Sequence, residues 1–314
     1  MAVPTTNPLR RQQWVGGDNN LRRVFYMAGC GRERFNCPIK NFETRSEMDI
    51  GKINGEIDIW EQLKNCAEEA LATEPALSEA LHSFVMEHKN FPAAMCSRIT
   101  HKLANNDLEY RTIISLCREA FEKEPEISCL CQNDIIATKE RDPACESVLT
   151  PFLWYKGFLA ISTHRIAHYF WTHSRQLIAR FLQSKVSEKL GVDIHPAARF
   201  GCGILLDHAT SFVAGETSVV ENNVSILHDV TLGGTGKERG ERHPKIRAGV
   251  LIGAGAKILG NIEVGTCAKI GAGSVVLDDV PPYATVTGVP ARIVCISRGG
   301  DPAGLMMNHK LPKC

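Results

Sequence analysis

Two hydrophobic periods run along this chain, and one gives way to the other near Leu190. From about Ile57 to Lys139 apolar residues recur at steps of three and four. In IWEQLKNCAEEALATEPALSEALHSFVMEH, Ile59, Leu63, Cys66 and Ala70 fall on one face, the spacing of an amphipathic helix. Glu74-Pro75 and Glu124-Pro125 interrupt the pattern, because proline disfavours helical backbone in the residue before it. A further long helix is expected from about Leu153 to Leu190. RDPACESVLTPF (Arg141 to Phe152) forms an irregular link broken by Pro143 and Pro151. The spacing predicts roughly six to eight helices.

Beyond Leu190 the period becomes six. Ile246, Ile252, Ile258, Val264, Ile270 and Val276 are all aliphatic, glycine follows at Gly253, Gly265 and Gly271, and Val250, Ala256, Ile262, Ala268 and Ser274 fill the fourth position after each step. The same ruler extends back through Ile194, Phe200, Leu206, Phe212, Ser218, Val224 and Val230, where only Ser218 is polar. This is the hexad signature of a parallel β-helix, in which each hexad is a short strand plus a turn and stacked coils bury one another's faces. Val230 and Ile246 are sixteen residues apart, which is not a multiple of six. LGGTGKERGERHPKI (Leu232 to Ile246) therefore contains an extruded loop, and solenoids carry such insertions on the working face.

Composition narrows the class. The chain has 314 residues, 44% hydrophobic and 23% charged, with a formal net charge of +1. That balance gives no electrostatic footprint for nucleic acid, and no apolar run is long enough to span a membrane. Twelve cysteines are scattered without a CxxC pair, which argues for reduced intracellular thiols rather than a zinc site or a disulfide framework. Up to Arg32 there are five arginines against one acid, Asp18, yet no serine before Ser46. Two readings stand for this stretch: an organelle transit peptide, directing the protein to plastid or mitochondrion, or a disordered basic extension on a cytoplasmic protein.

The hexad region holds His195, His208, His228 and His243. In LLDHAT (Leu205 to Thr210), Leu206 points inward, which leaves Asp207 and His208 at a turn. Asp193 precedes inward Ile194 and points outward. It lies fifteen residues before His208, close to one coil of about eighteen residues, so the two can be neighbours on successive coils. A carboxylate beside an imidazole fixes its tautomer and raises its basicity, which suits a general base near neutral pH; a surface histidine with a salt link is the simpler reading. Outside this region, His164 and His168 stand at i, i+4 on a helix. No glutamate sits between them in an HExxH arrangement, so hydrogen bonding between helices is expected. His228-Asp229 lies near the extruded loop and is a candidate for the rim of the site.

VDIHPAARFGCGILLDHAT, VSILHDVTLGGTGKERGERHPKIRAGVLIGAGAKILGNIEVG, AKIGAGSVV and GVPARIV, with DPA at Asp142 to Ala144, strongly resemble the serine O-acetyltransferase family from about Asp142 to Val294. The helical region resembles that family's N-terminal domain. The resemblance implies an α+β protein: an all-helical N-terminal domain followed by a left-handed parallel β-helix. It implies acetyl transfer from acetyl-CoA, as co-substrate and without a metal, to the hydroxyl of L-serine, the first step of cysteine synthesis. His208 resembles the general base and Asp193 its carboxylate partner. Asp142, Asp207, Arg242 and His243 resemble the serine-binding set; Glu241 stands where the motif usually has aspartate. Gly234, Thr235, Ala254, Lys269 and Ala272 resemble positions near the coenzyme. An acceptor carboxylate suits the serine ammonium, and a guanidinium matches the carboxylate bidentately. Backbone N–H groups of Gly233-Gly234 are candidates for the oxyanion.

The expected domains are residues 1–52 (basic extension or transit peptide), 53–190 (helical), 191–296 (β-helix) and 297–314 (tail). The resemblance further implies a homotrimer or a dimer of trimers, with sites shared between subunits. In the family the tail often ends in isoleucine and enters the sulfhydrylase that consumes O-acetylserine. This tail, MMNHKLPKC, ends in Cys314, which argues against that complex and leaves cysteine feedback open. Three alternatives differ in chemistry. Another acceptor on the same fold is disfavoured by Asp142 and Arg242-His243-Pro244. A zinc hydratase needs a close histidine pair that His228 and His243 do not supply. A catalytically weak scaffold is disfavoured by intact Asp193, His208 and His243.

Overall fold

Helices begin where short polar side chains can receive the unpaired N–H groups of a first turn. In the computed structural model, which describes residues 58–236, 239–297 and 299–311, Asp58 accepts from the backbone N–H of Trp60 and caps α1 (Ile59–Thr73). A 3-10 turn, the short α2 (Ser78–Leu81) and a π turn lead to α3 (Phe91–Leu103), capped by Asn90. Then come α4 (Asp107–Lys123), capped by Asn106, α5 (Glu126–Arg141), α6 (Leu149–Trp154), α7 (Lys156–Thr172) and α8 (Gln176–Leu190). The single long helix expected over Leu153 to Leu190 is a helical hairpin instead. Ser174 takes φ +61°, and the N–H of Arg175 reaches back to Phe170 O. That is a Schellman-type stop made with serine rather than the usual glycine, which is why no residue type announced it. The basic stretch 1–52 and the boundary at 52/53 lie outside the described residues.

Gly191, at φ +66°, ends α8, and the chain enters short strands: β1 (Val192–Ile194), β2 (Arg199–Phe200), β3 (Leu205–Leu206), β4 (Phe212–Ala214), β5 (Val219–Val220), β6 (Ser225–Ile226), β7 (Thr231–Gly233), β8 (Lys245–Ile246), β9 (Leu251–Ile252), β10 (Lys257–Leu259), β11 (Glu263–Val264), β12 (Lys269–Ile270), β13 (Val275–Val276), β14 (Ala284–Gly288) and β15 (Ala291–Ile296). They form three parallel sheets: A (β1-β4-β7-β10-β13), B (β2-β5-β8-β11) and C (β3-β6-β9-β12-β14), with β15 antiparallel on the edge of C. This is a parallel β-helix. Inward ladders are continuous: Ile194, Ala214, Leu232, Ile258 and Val276 stack on sheet A, and all are buried. Burying one such aliphatic side chain contributes about 1.5–3 kcal/mol.

The ladders correct the hexad ruler in its first half. Ile194 pairs with Ala214, Phe200 with Val220 and Leu206 with Ile226, a step of twenty residues. From Lys257 to Val275, or Ile252 to Ile270, the step is eighteen. Two extra residues therefore lie between Leu206 and Ala214, at the corner that carries His208. Phe212, Ser218, Val224 and Val230 are buried all the same, because each hexad has a second inward position; that is why the slip is invisible in the pattern. The extruded loop lies between Leu232 and Ile246. There Val220 pairs with Ile246, a step of twenty-six.

The first coil has no coil beneath it, so its outward backbone groups need other partners. The helices provide them. Arg165 donates to Phe200 O and Gly201 O, Arg141 to Gly203 O, and the N–H of Ile204 donates to Asp134, which is itself paired with Arg165 at 2.7 Å. His164 and His168 reach Ala198 O and Pro196 O at 3.1 and 2.7 Å. The i, i+4 histidines thus cap the edge of the β-helix, instead of bonding from helix to helix as expected. At the other end of the chain, α9 (Ala303–Met306) lies on sheet C. Gly304 N donates to Gly249 O, and Gly304 O accepts from Ser225 at 2.6 Å. Cys295, on the outermost strand of sheet C, is disulfide-bonded, contrary to the expectation of reduced thiols throughout. No helix among the described residues is long and apolar enough to cross a membrane.

Candidate active site

The corner between β3 and β4 is the most strained turn in the β-helix. His208, Ala209 and Ser211 have φ of +54°, +58° and +61°, a region that costs L-residues about 1–2 kcal/mol each. The turn persists because its surroundings hold it from several sides. Ser211 N donates to Gly191 O, Asp229 N to Thr210 O, and the Lys156 ammonium to Thr210 Oγ1 at 2.6 Å. At the start of α7, Gly157 lies so close that a Cβ there would meet Leu206 O at 1.9 Å. Lifted by the two extra residues, the His208 side chain is 74% exposed.

Acidic and aromatic groups gather around it. Asp207 Oδ1 is 3.8 Å from His208 Nε2, and the His208 ring stands edge-on to His228 at 5.8 Å. Burial raises the Asp207 carboxyl above the ordinary aspartate value; Asp142 pushes the same way, and His208 and His228 oppose it. Asp142 follows α5 in extended backbone, its carboxylate accepting from Ala144 N. The Tyr155 phenol is pushed up to about 12, first by burial and then by Asp142. Asp142 thus meets the adjacent pair Asp207-His208, far from it in sequence, and Tyr155, Lys156 and His228 gather at the same place. Asp193 is placed differently. It lies in the strand of sheet A, its lateral neighbour one coil on is Val213, and it accepts a 2.7 Å hydrogen bond from Gln183 on α8. In this chain Asp193 is engaged by Gln183 rather than by His208.

Arg242 and His243 lie at the other margin of sheet A, where β7 passes to β8. Arg242 is paired with Glu216 at 2.5 Å, and the backbone N–H groups of both Arg242 and His243 donate to Thr217 Oγ1 at 3.1 Å. His243 is buried. Burial lowers its pKa, Arg242 and Lys245 reinforce the shift, and Glu216 and Glu241 oppose it. The ring lies flat against Gly215, where a Cβ would meet Nε2 at 2.0 Å. Gly234 and Thr235 belong to this margin: Gly234 backs onto Arg242 O and Thr235 onto Gly260. Ala254 and Ala272 belong to the margin of His208, stacked on successive corners, with Gly273 N donating to Ala254 O. Lys269, on sheet C, donates to Lys310 O at 2.6 Å, so the tail engages it here.

Among the described residues no group of histidine, cysteine and acidic side chains is arranged to hold a metal ion. Sequence reasoning missed Tyr155, Lys156, Glu216 and Thr217. Tyr155 and Lys156 act from the start of α7, and Glu216 and Thr217 from the coil beneath the loop end.

The site is thus an exposed histidine among acids at one corner of a parallel β-helix of hexads capped by helices. The serine acetyltransferase N-terminal family model matches residues 59–163, and the bacterial transferase hexapeptide (six repeats) model matches residues 243–278. A serine acetyltransferase from Haemophilus influenzae is 51% identical over 247 residues, 79% of this chain and 92% of that protein. Among solved structures, a serine acetyltransferase from Brucella abortus strain S19 in complex with coenzyme A superposes with TM-score 0.74 at 50% identity, covering 76% of this chain and 96% of that one. Soybean serine acetyltransferase complexed with serine gives 0.73 at 50%, covering 75% and 97%. The chain belongs to the serine acetyltransferase family.

Proposed function

We propose that this enzyme moves the acetyl group of acetyl-CoA to the hydroxyl of L-serine with His208 as general base. The observation that carries the reading is the meeting of His208, Asp207 and Asp142 at one solvent-open corner. Neutral His208 accepts the proton of the serine hydroxyl as its oxygen attacks the thioester carbon. The C–S bond then breaks, and the imidazolium returns the proton to the CoA thiolate. Asp142 and Asp207 face the serine ammonium. Arg242, with His243, takes the carboxylate. Ala254 and Ala272 leave the backbone open to a long thin ligand on the same margin as His208, with Gly234, Thr235 and Lys269 as further coenzyme contacts and Gly233-Gly234 as oxyanion donors. Asp193 serves as the orienting carboxylate of His208 once it exchanges Gln183 for the imidazole.

Arg242 and His208 occupy opposite margins of sheet A in one chain, so serine bridges them only where one subunit's β3–β4 corner meets another's β7–β8 loop. This supports a cyclic trimer with shared sites. The test is serine-dependent release of CoA thiol. His208→Ala is expected to lower kcat by about 10²–10⁴-fold, the range for loss of a general base, and Asp193→Asn by a smaller factor. Undiminished turnover in His208→Ala would remove the base; robust turnover only with an acceptor other than serine would remove the substrate.

A further inference from the structure

Thr217 lies in the turn between β4 and β5, one coil beneath the end of the extruded loop. Its hydroxyl oxygen accepts two backbone N–H groups, from Arg242 and His243, each at 3.1 Å. The same hydroxyl stands 3.0 Å from His243 Nδ1, and Thr217's own backbone N–H donates to that nitrogen at 3.2 Å. With both lone pairs of the oxygen taken, its proton is free to go to Nδ1. A nitrogen that accepts from a backbone N–H carries no proton of its own, so the neutral imidazole holds its hydrogen on Nε2. Nε2 lies in a slot bounded by Gly215 and Gly234: added Cβ atoms would meet it at 2.0 and 3.7 Å. Glu216, next to Thr217, holds the Arg242 guanidinium by its Nη2. Arg242 and His243 are therefore two donors, set in backbone, tautomer and ring plane, at the end of the extruded loop.

We propose that Thr217 is a positioning residue that presets Arg242 and His243 as one carboxylate clamp, with His243 a neutral Nε2–H donor. The inference rests on the reading above that these two residues hold the serine carboxylate. Thr217 does not touch the substrate; its effect passes through the loop end. A donor pair held in place before binding loses less conformational freedom when the carboxylate arrives, so removal of the hydroxyl weakens that interaction and leaves the chemistry at His208 intact. A merely structural threonine would instead affect every substrate alike.

The experiment compares kcat/KM for L-serine and for L-serinamide, which keeps the ammonium and hydroxyl and lacks the carboxylate. Both are measured by CoA thiol release at saturating acetyl-CoA, with melting temperatures recorded alongside. Thr217→Val, nearly isosteric, is expected to lower kcat/KM about tenfold for L-serine, or about 1.4 kcal/mol, and to leave the L-serinamide value and the KM for acetyl-CoA within about twofold. Thr217→Ser, which restores the hydroxyl, is expected to return L-serine turnover to within about threefold of the parent enzyme. Equal losses on both substrates, or a serine variant as impaired as the valine variant, overturn the proposal. Arg242→Ala separates the two levels. If it too treats L-serine and L-serinamide alike, the carboxylate reading fails. If it discriminates between them and Thr217→Val does not, only the role of Thr217 fails.

Discussion

Asp207 is the residue at which stability and function conflict most openly. Burial and the neighbouring Asp142 raise its pKa, while binding an ammonium needs it ionised. A carboxyl whose folded pKa lies above its unfolded value favours the fold below the unfolded pKa, and that contribution is lost as pH rises through the folded pKa. At neutral pH ionised Asp207 therefore costs stability. Asp207→Asn is expected to raise Tm by about 1–3 °C at pH 7.5, with the gain shrinking in acid, and to raise the KM for serine. In the parent enzyme the same titration weakens serine binding as pH falls, beginning above the ordinary aspartate range. Calorimetric scans from pH 4 to 8 check the first statement, and an unchanged or lowered Tm at neutral pH would refute it. LLDHAT marked Asp207 and His208 as turn residues, but the chain pattern carried no sign of Tyr155 or Thr217, whose relevance comes from contacts across tens of residues.

At the scale of elements, the start of α7 braces the corner that carries His208. Lys156 holds Thr210, and the backbone of Gly157 rests against Leu206 O and Ala209. A methyl at Gly157 would sit 1.9 Å from that carbonyl, and neither backbone can yield cheaply. Gly157→Ala is expected to destabilise the protein by about 2 kcal/mol or more, the range for overpacking a buried contact, and to lower kcat by disturbing the left-handed turn at His208. Urea unfolding and initial rates check it; a neutral substitution would mean that helix and corner are not coupled. The helical and six-residue periods were legible because each reflects a one-sided burial that repeats locally. The two-residue slip between Leu206 and Ala214 was not, since a hexad buries two positions and the pattern survives a shift of two. The break between α7 and α8 was missed for a related reason: Ser174 takes the left-handed conformation that a glycine would have announced.

At the scale of the molecule, the division of the site between two margins of sheet A predicts complementation. His208→Ala and Arg242→Ala chains, each inactive alone, are unfolded together and refolded at equal concentration. For sites shared between neighbouring subunits, one ordered pair in four joins an intact His208 to an intact Arg242, so activity is expected to recover to about a quarter of the parent value. Sites contained within one chain would give no recovery.

The sequence by itself determined the two architectures, because 3.6- and six-residue periods of apolar side chains are local consequences of helix and β-helix geometry. It also marked His208, Asp207, Arg242 and His243, since their motifs are contiguous. Only the tertiary structure decided which of them meet. It placed Asp142 beside Asp207, because the end of α5 is pinned to the first coil through Arg141. It placed Asp193 on Gln183, because α8 packs along β1. It put Arg242 and His208 at different margins of one sheet, because the chain's path around the prism, rather than its spacing along the sequence, sets which corners are neighbours.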